Sequence, residues 1–148
     1  MERSFDDVLH GGVLVNRDDE AERDVGVRDR KITEIGELSS FDAAEKIICR
    51  GLHILPGEID SQVHFREPGM LHKEDLASGY RSAVPGGVTA IFEMPNTDPL
   101  MSRPEALADK IRRGLGRRHC DFVFWVRGTH ENAHHLAELE PLPGAADI

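Results

Sequence analysis

The chain has 148 residues, and its 18 Lys and Arg against 27 Asp and Glu give a formal net charge of −9. An acidic chain without a basic block is not typical of nucleic-acid binding, because the phosphate backbone selects clustered Lys and Arg. No apolar run approaches the roughly 18 residues of a membrane span, and the N-terminus lacks the features of a signal peptide. We therefore expect a cytoplasmic protein without nucleic-acid or membrane partners.

The first 52 residues are predicted to form most of a small β unit. Residues 8–15 are an apolar, β-branched run, and residues 24–27 and 31–35 alternate with the period of two that is typical of strands. This alternation predicts one covered side formed by Val25, Val27, Ile32 and Ile35. Residues 28–30 are interpreted as a hairpin connection, although they lack the glycine that such turns favour.

From about residue 53 the pattern changes to a strand followed by a helix, three times over. The strands are predicted at 59–65, 88–94 and 121–126, and the helices at 72–84, 102–115 and 131–140. Ser102 is predicted to cap the second helix. This alternation indicates a parallel α/β sheet of about three βα units, and residues 145–148 are interpreted as the beginning of a fourth strand.

The most informative stretch lies at the end of the first of these strands. Asp60, Gln62, His64 and Arg66 are spaced so that a regular strand would present all four side chains on one face. Burying such a set as mere packing would be costly, whereas the carboxyl ends of strands in a βα barrel carry active sites. A lone buried histidine is nevertheless often structural, so the residues alone leave the role of His64 open between metal ligand and structural residue.

Asn96 follows the second strand of this region. Pro, Asn and Asp also build ordinary turns without any function, and the spacing alone leaves that alternative open. In the functional interpretation, the guanidinium of Arg66 and the amide of Asn96 lie at the ends of neighbouring strands. Together they would bind a small anionic substrate, because both groups donate hydrogen bonds to a carboxylate.

Five motifs resemble the N-terminal portion of the dihydroorotases, which are cyclic amidohydrolases of the amidohydrolase superfamily. They are LPG at 55–57, DSQVHFREPG at 60–69, HKED at 72–75, GGVT at 86–89 and MPNT at 94–97. The resemblance implies a partial TIM-like (β/α) barrel of about three βα units in residues 53–148, preceded by a small β-sandwich-type unit in residues 1–52.

The resemblance also implies the chemistry. Enzymes of this family hydrolyse a cyclic amide, dihydroorotate to N-carbamoyl-L-aspartate in pyrimidine biosynthesis, with a hydroxide on zinc or a similar divalent metal. The family's metal-binding His-x-His pair corresponds to positions 62 and 64. His64 matches, but Gln62 departs from the pattern, and an amide oxygen is a poorer ligand than an imidazole for such an ion. His64, Phe65, Arg66 and Asn96 correspond to substrate-binding positions.

The family's later metal ligands and its catalytic aspartate are expected beyond Ile148. We therefore expect no catalytic residue within this span and no activity of the chain alone. Two alternatives remain: an allantoinase or hydantoinase relative, or a degenerate, non-catalytic homologue that acts as a structural partner. By resemblance, the partner would be a second copy of the chain or aspartate carbamoyltransferase. Gln62 favours the non-catalytic homologue over an enzyme.

Overall fold

The structure, a computed structural model, describes residues 5–146. They divide into two compact units between Pro56 and Gly57, four residues beyond the boundary predicted from the sequence. None of the helices in the described part of the chain is long and apolar enough to cross a membrane. Strands and helices together form a mixed α/β structure, as the sequence predicts.

The first unit is a five-stranded sheet in which β1 is central. β1 pairs antiparallel with β2 and parallel with β4 and β5, and β3 pairs antiparallel with β2 at the edge. The strands are β1 (Phe5–Val15), β2 (Glu20–Arg28), β3 (Lys31–Gly36), β4 (Ala43–Ile48) and β5 (His53–Ile54). A small core of Phe5, Val8 and Leu38 lies within this unit.

The hairpin predicted at residues 28–30 is confirmed. Asp29 and Arg30 both have positive φ angles, 52° and 61°, so two non-glycine residues adopt the left-handed conformation that a tight hairpin turn requires. The prediction of a covered side is wrong for Ile32 and Ile35, which are 65 % and 43 % exposed. Both lie on β3 at the edge of the sheet, away from the small core of this unit.

The second unit contains a three-stranded parallel sheet in the order β6-β7-β8. Its elements alternate along the chain as predicted: β6 (Glu58–Val63), α1 (Leu76–Ala83), β7 (Val88–Glu93), α2 (Pro104–Gly114), β8 (Asp121–Phe124) and α3 (Leu136–Leu139). One turn of 3₁₀ helix, Val84–Gly86, extends α1, and Gly87, which follows it, has a left-handed conformation. α3 is much shorter than the predicted helix over 131–140.

Two helix starts differ from the prediction. α1 begins four residues late because the Asp75 side chain accepts a hydrogen bond from the Ser78 amide at 2.8 Å and so caps the helix there. The prediction of Ser102 as the cap of α2 is wrong. Arg103 occupies that position without a side-chain bond, which places Pro104 at the first helical position, where its missing N–H costs least.

The helices cover one face of the three-stranded sheet, which we call the helix-covered face. Its core contains Phe65, Leu76, Tyr80, Ile91, Met101, Leu107, Phe124, Val126 and Leu139. After β8, the chain returns so that the Ala146 amide donates to the Phe124 carbonyl at 2.8 Å and Ala145 forms a parallel bridge with Phe124. The predicted fourth strand thus begins at this point, and its residues 147–148 lie outside the described residues.

Candidate functional site

The prediction that residues 60, 62, 64 and 66 share one face is wrong. The register between β6 and β7 shifts, since Asp60 pairs with Ile91 but Val63 pairs with Glu93. In this irregular stretch the backbone N–H of Gln62 donates a hydrogen bond to the Asp60 carboxylate at 3.0 Å. The strand then ends at Val63, so the alternation of faces does not continue from Asp60 to Arg66.

His64 and Asn96 nevertheless meet at the carboxyl ends of β6 and β7. Nδ1 of His64 lies 3.0 Å from Oδ1 of Asn96. Because an amide oxygen can only accept, Nδ1 carries the proton in this contact and Nε2 keeps a free lone pair. The imidazole is exposed and Asn96 is half-buried.

Arg66 and Phe65 point to different environments. Phe65 is buried in the core of the helix-covered face, where its ring packs edge to face against Tyr80 at 5.5 Å between centroids. Arg66 is half-buried and has a φ of 66°, a conformation that is uncommon for a non-glycine residue. Within residues 5–146, no hydrogen bond or ion pair occupies the Arg66 guanidinium.

Glu67 anchors the loop that carries Arg66. Its buried carboxylate accepts two hydrogen bonds from Arg117, at 2.7 and 3.0 Å, and a third from the Leu76 amide at 2.9 Å. Burial raises the pKa of this carboxyl, but the hydrogen bonds of Arg117 and Leu76 outweigh burial and hold the pKa below its ordinary value. The loop after β6 is thereby fixed to the start of α1 and to the end of α2.

The loops after β6 and β7 are also joined directly. The Asp98 amide donates to the Pro68 carbonyl at 3.1 Å. Gly69, with a φ of 95°, lies so close to this contact that a Cβ atom there would stand 2.2 Å from the Asp98 carbonyl oxygen. Glycine is therefore required at position 69 for the two loops to approach each other.

A fully buried ion pair joins α2 to the end of β7, close to the candidate site. Nζ of Lys110, from α2, is 2.7 Å from Oε1 of Glu93 at the end of β7, and the two side chains are 1 % and 0 % exposed. Burial raises the pKa of the Glu93 carboxyl, against the opposing effect of Lys110. Burial likewise lowers the pKa of the Lys110 ammonium. Each group is retained in the core only because the other compensates its charge.

The residues predicted as metal ligands do not complete a metal site. Within residues 5–146, no group of three or more His, Cys, Asp or Glu could hold an ion. Nε2 of His64 is a suitable imidazole ligand, but Gln62 is exposed and offers only an amide oxygen. A stable catalytic zinc site needs about three protein ligands, so the described residues supply at most a part of one.

Sequence reasoning missed three side chains that shape this region: Lys110, Arg117 and Trp125. The lysine could have been found from Glu93, an acid within an otherwise apolar strand that needs a buried partner. Arg117 is 50 residues from Glu67 along the chain, and no local pattern indicates that pair. Trp125 is visible only as the single tryptophan of the sequence.

The sequence matches no protein-family model, but it is similar to several characterised classes of enzyme. It is 34 % identical over 137 residues to an allantoinase of Deinococcus radiodurans, covering 92 % of this chain and 31 % of that protein. It is 40 % identical over 116 residues to a dihydroorotase of Methanothermobacter thermautotrophicus, covering 78 % and 26 %. Its structure resembles an L-hydantoinase of Arthrobacter aurescens, with a TM-score of 0.83, 28 % identity and coverage of 91 % and 30 %.

These comparisons confirm the resemblance to the cyclic amidohydrolases of the amidohydrolase superfamily. The sequence relatives include dihydroorotases and allantoinases, and the structural relatives include hydantoinases. The chain spans less than one third of the length of these relatives, 31 % for the Deinococcus protein and 30 % for the Arthrobacter protein.

Proposed function

We propose that the chain forms the N-terminal part of a metal-dependent cyclic amidohydrolase of the dihydroorotase type. The observation that carries this proposal is the contact between His64 and Asn96, which brings the ends of β6 and β7 together. A guanidinium without a protein partner in the described residues, Arg66, lies two residues from this histidine. The three parallel strands and their helices would be the first βα units of a barrel.

In this proposal each group has a separate task. Arg66 and Asn96 donate hydrogen bonds to the carboxylate of a small anionic cyclic amide such as dihydroorotate, because both present N–H groups suited to that anion. Nε2 of His64 provides one metal ligand, and the hydrogen bond at Nδ1 fixes the tautomer that such a ligand needs. The remaining ligands would come from outside residues 5–146, so no catalytic step is assigned to the described residues.

A fusion experiment tests this proposal. The chain would replace the corresponding N-terminal segment of the related Methanothermobacter dihydroorotase, and the fusion would be assayed with dihydroorotate, allantoin and hydantoin. We expect hydrolysis of dihydroorotate above that of allantoin and hydantoin, and its loss in the same fusion with His64→Ala. A preference for allantoin would reassign the substrate, and a folded fusion without activity on any of the three substrates would contradict the proposal.

Gln62 favours a second candidate function, that of a non-catalytic homologue. Its exposed amide stands where the family's pattern has the first histidine of the metal-binding pair. Such a homologue would act as a structural partner, of a second copy or of aspartate carbamoyltransferase. Gln62→His in the fusion distinguishes the two candidates: restored activity in that variant alone would show that the native residue has disabled the site.

A further inference from the structure

Trp125, the single tryptophan of the chain, lies directly after β8 and contacts Phe92 of β7. Their ring centroids are 5.8 Å apart and both side chains are half-buried. Their neighbours Ile91 and Phe124 are part of the core of the helix-covered face. Since side chains alternate along a strand, Phe92 and Trp125 lie on the opposite face of the sheet.

The indole of Trp125 is held in place by β6, two strands away. Its Nε1 donates a hydrogen bond to the Ser61 carbonyl at 3.1 Å. Ser61 lies in the irregular stretch of β6, between the paired residues Asp60 and Val63. The indole therefore spans β7 and is fixed by a backbone group in the place where the regular strand pairing is interrupted.

This aromatic pair is level with the candidate site. The Trp125 amide donates to the Glu93 carbonyl at 2.9 Å, and the Met94 amide donates to the Val63 carbonyl at 2.9 Å. Trp125 is thus in register with the last residues of β6 and β7. His64 follows Val63 immediately, and Asn96 follows Met94 by two residues.

We infer that Phe92 and Trp125 form the surface against which the ring of the cyclic amide packs. This inference rests on the proposed function and adds a recognition element for the ring to the groups that bind the carboxylate. A cyclic amide has polar groups at its edge and two faces that can pack on aromatic side chains. With the indole N–H already bonded to Ser61, the pair offers the ring apolar contact, while Arg66 offers the positive charge that the substrate anion needs.

The single tryptophan makes this inference measurable in the full 148-residue chain, because all tryptophan fluorescence comes from Trp125. Three probes separate the ring from the anion: L-dihydroorotate carries both, 5,6-dihydrouracil carries only the ring, and succinate carries only carboxylates. We expect saturable changes in fluorescence with dihydroorotate and, at higher concentration, with dihydrouracil. Succinate should produce no change.

Two matched substitutions locate the ring. Phe92→Leu should weaken the binding of dihydroorotate and dihydrouracil by about three- to tenfold, the range expected for losing an aromatic contact. Phe122→Leu is the control, because Phe122 is the same residue type on the neighbouring strand but packs against the core of the helix-covered face. It should change both affinities less than twofold, because a substitution at a residue that does not contact the ligand has little effect on binding. Circular dichroism verifies the fold of each variant.

The outcomes separate this inference from the proposed function on which it rests. If Arg66→Gln weakens dihydroorotate binding but Phe92→Leu has no more effect than Phe122→Leu, the ring surface is wrong and the carboxylate assignment stands. If Phe92→Leu weakens both ring ligands while Arg66→Gln has no effect on dihydroorotate, the ring surface stands and the carboxylate assignment is wrong. Absence of saturable fluorescence or calorimetric signals with both ring ligands, in a natively folded chain, overturns the inference.

Discussion

Nδ1 of His64 lies 3.0 Å from the amide oxygen of Asn96, although the two residues are 32 positions apart in the sequence. The contact joins the loop after β6 to the loop after β7, where the parallel strands end at the same edge of the sheet. It leaves Nε2 of the imidazole available to a ligand, and it turns the Asn96 side chain toward the histidine.

The tautomer of His64 follows from this contact. We predict that the neutral imidazole carries its proton on Nδ1, because the Asn96 oxygen can only accept a hydrogen bond. Asn96→Ala should shift the population toward the Nε2–H tautomer. Two-bond ¹H–¹⁵N NMR spectra of the neutral ring measure this directly. Asn132→Ala, in a loop where Asn132 bonds Ser102 and Arg127 instead, should leave the His64 signals unchanged.

The buried pair of Glu93 and Lys110 predicts a non-additive effect on stability. Lys110→Met leaves a buried carboxylate without its partner and should lower the free energy of unfolding by about 3–5 kcal/mol. The double variant Glu93→Leu with Lys110→Met should recover most of that loss, since neither charge remains in the core. Urea unfolding at neutral pH measures both. A double variant less stable than Lys110→Met alone would contradict this account.

Because of the hydrogen bonds that Glu67 accepts, we predict that the free energy of unfolding of the second unit falls in acid. Its pKa is lowered in the folded chain, so its contribution is present above the unfolded-state pKa and disappears as the pH falls through the folded value. Glu67→Gln should cost about 1–3 kcal/mol near pH 7, and the difference from the parent chain should shrink below the ordinary value of 4.5. Glu58→Gln, an exposed control on β6, should show neither effect in unfolding experiments across this pH range.

The 148-residue polypeptide should not hydrolyse dihydroorotate. Generating a metal hydroxide at neutral pH takes about three protein ligands and an open coordination position. Residues 5–146 contain no group of three or more suitable side chains. Gln62→His should not restore activity in this polypeptide, because it adds only one ligand. The assay is formation of N-carbamoyl aspartate with added zinc, with an unrelated protein as control. Turnover above that control that disappears in His64→Ala would contradict this prediction.

The element order and the position of Asn96 at the end of the strand next to β6 could be predicted because they depend on local periodicity and on the parallel arrangement it implies. The hairpin at Asp29 and Arg30 was also predictable, although two charged residues occupy its left-handed positions. These features need only short-range patterns and the rule that parallel strands end at one edge of a sheet.

The remaining features depend on contacts that no local pattern encodes. The pair of Glu67 and Arg117 spans 50 residues, and the exposure of Ile32 depends on its place at a sheet edge. The register shift in β6 depends on how Asp60 and Val63 align with β7. A shift of this kind reverses the assignment of faces, so the prediction from strict alternation failed there.

Between Asp60 and Val63, β6 advances three residues while β7 advances only two, from Ile91 to Glu93. A deletion of one residue in this stretch would remove this irregularity and would move the side chains on one side of it to the other face of the sheet. In one outcome His64 would lose its contact with Asn96. In the other, His64 would keep that contact and the side chains of residues 58–60 would move to the opposite face of the sheet. The number of residues in β6, and not only their chemistry, thus directs the histidine toward its partner.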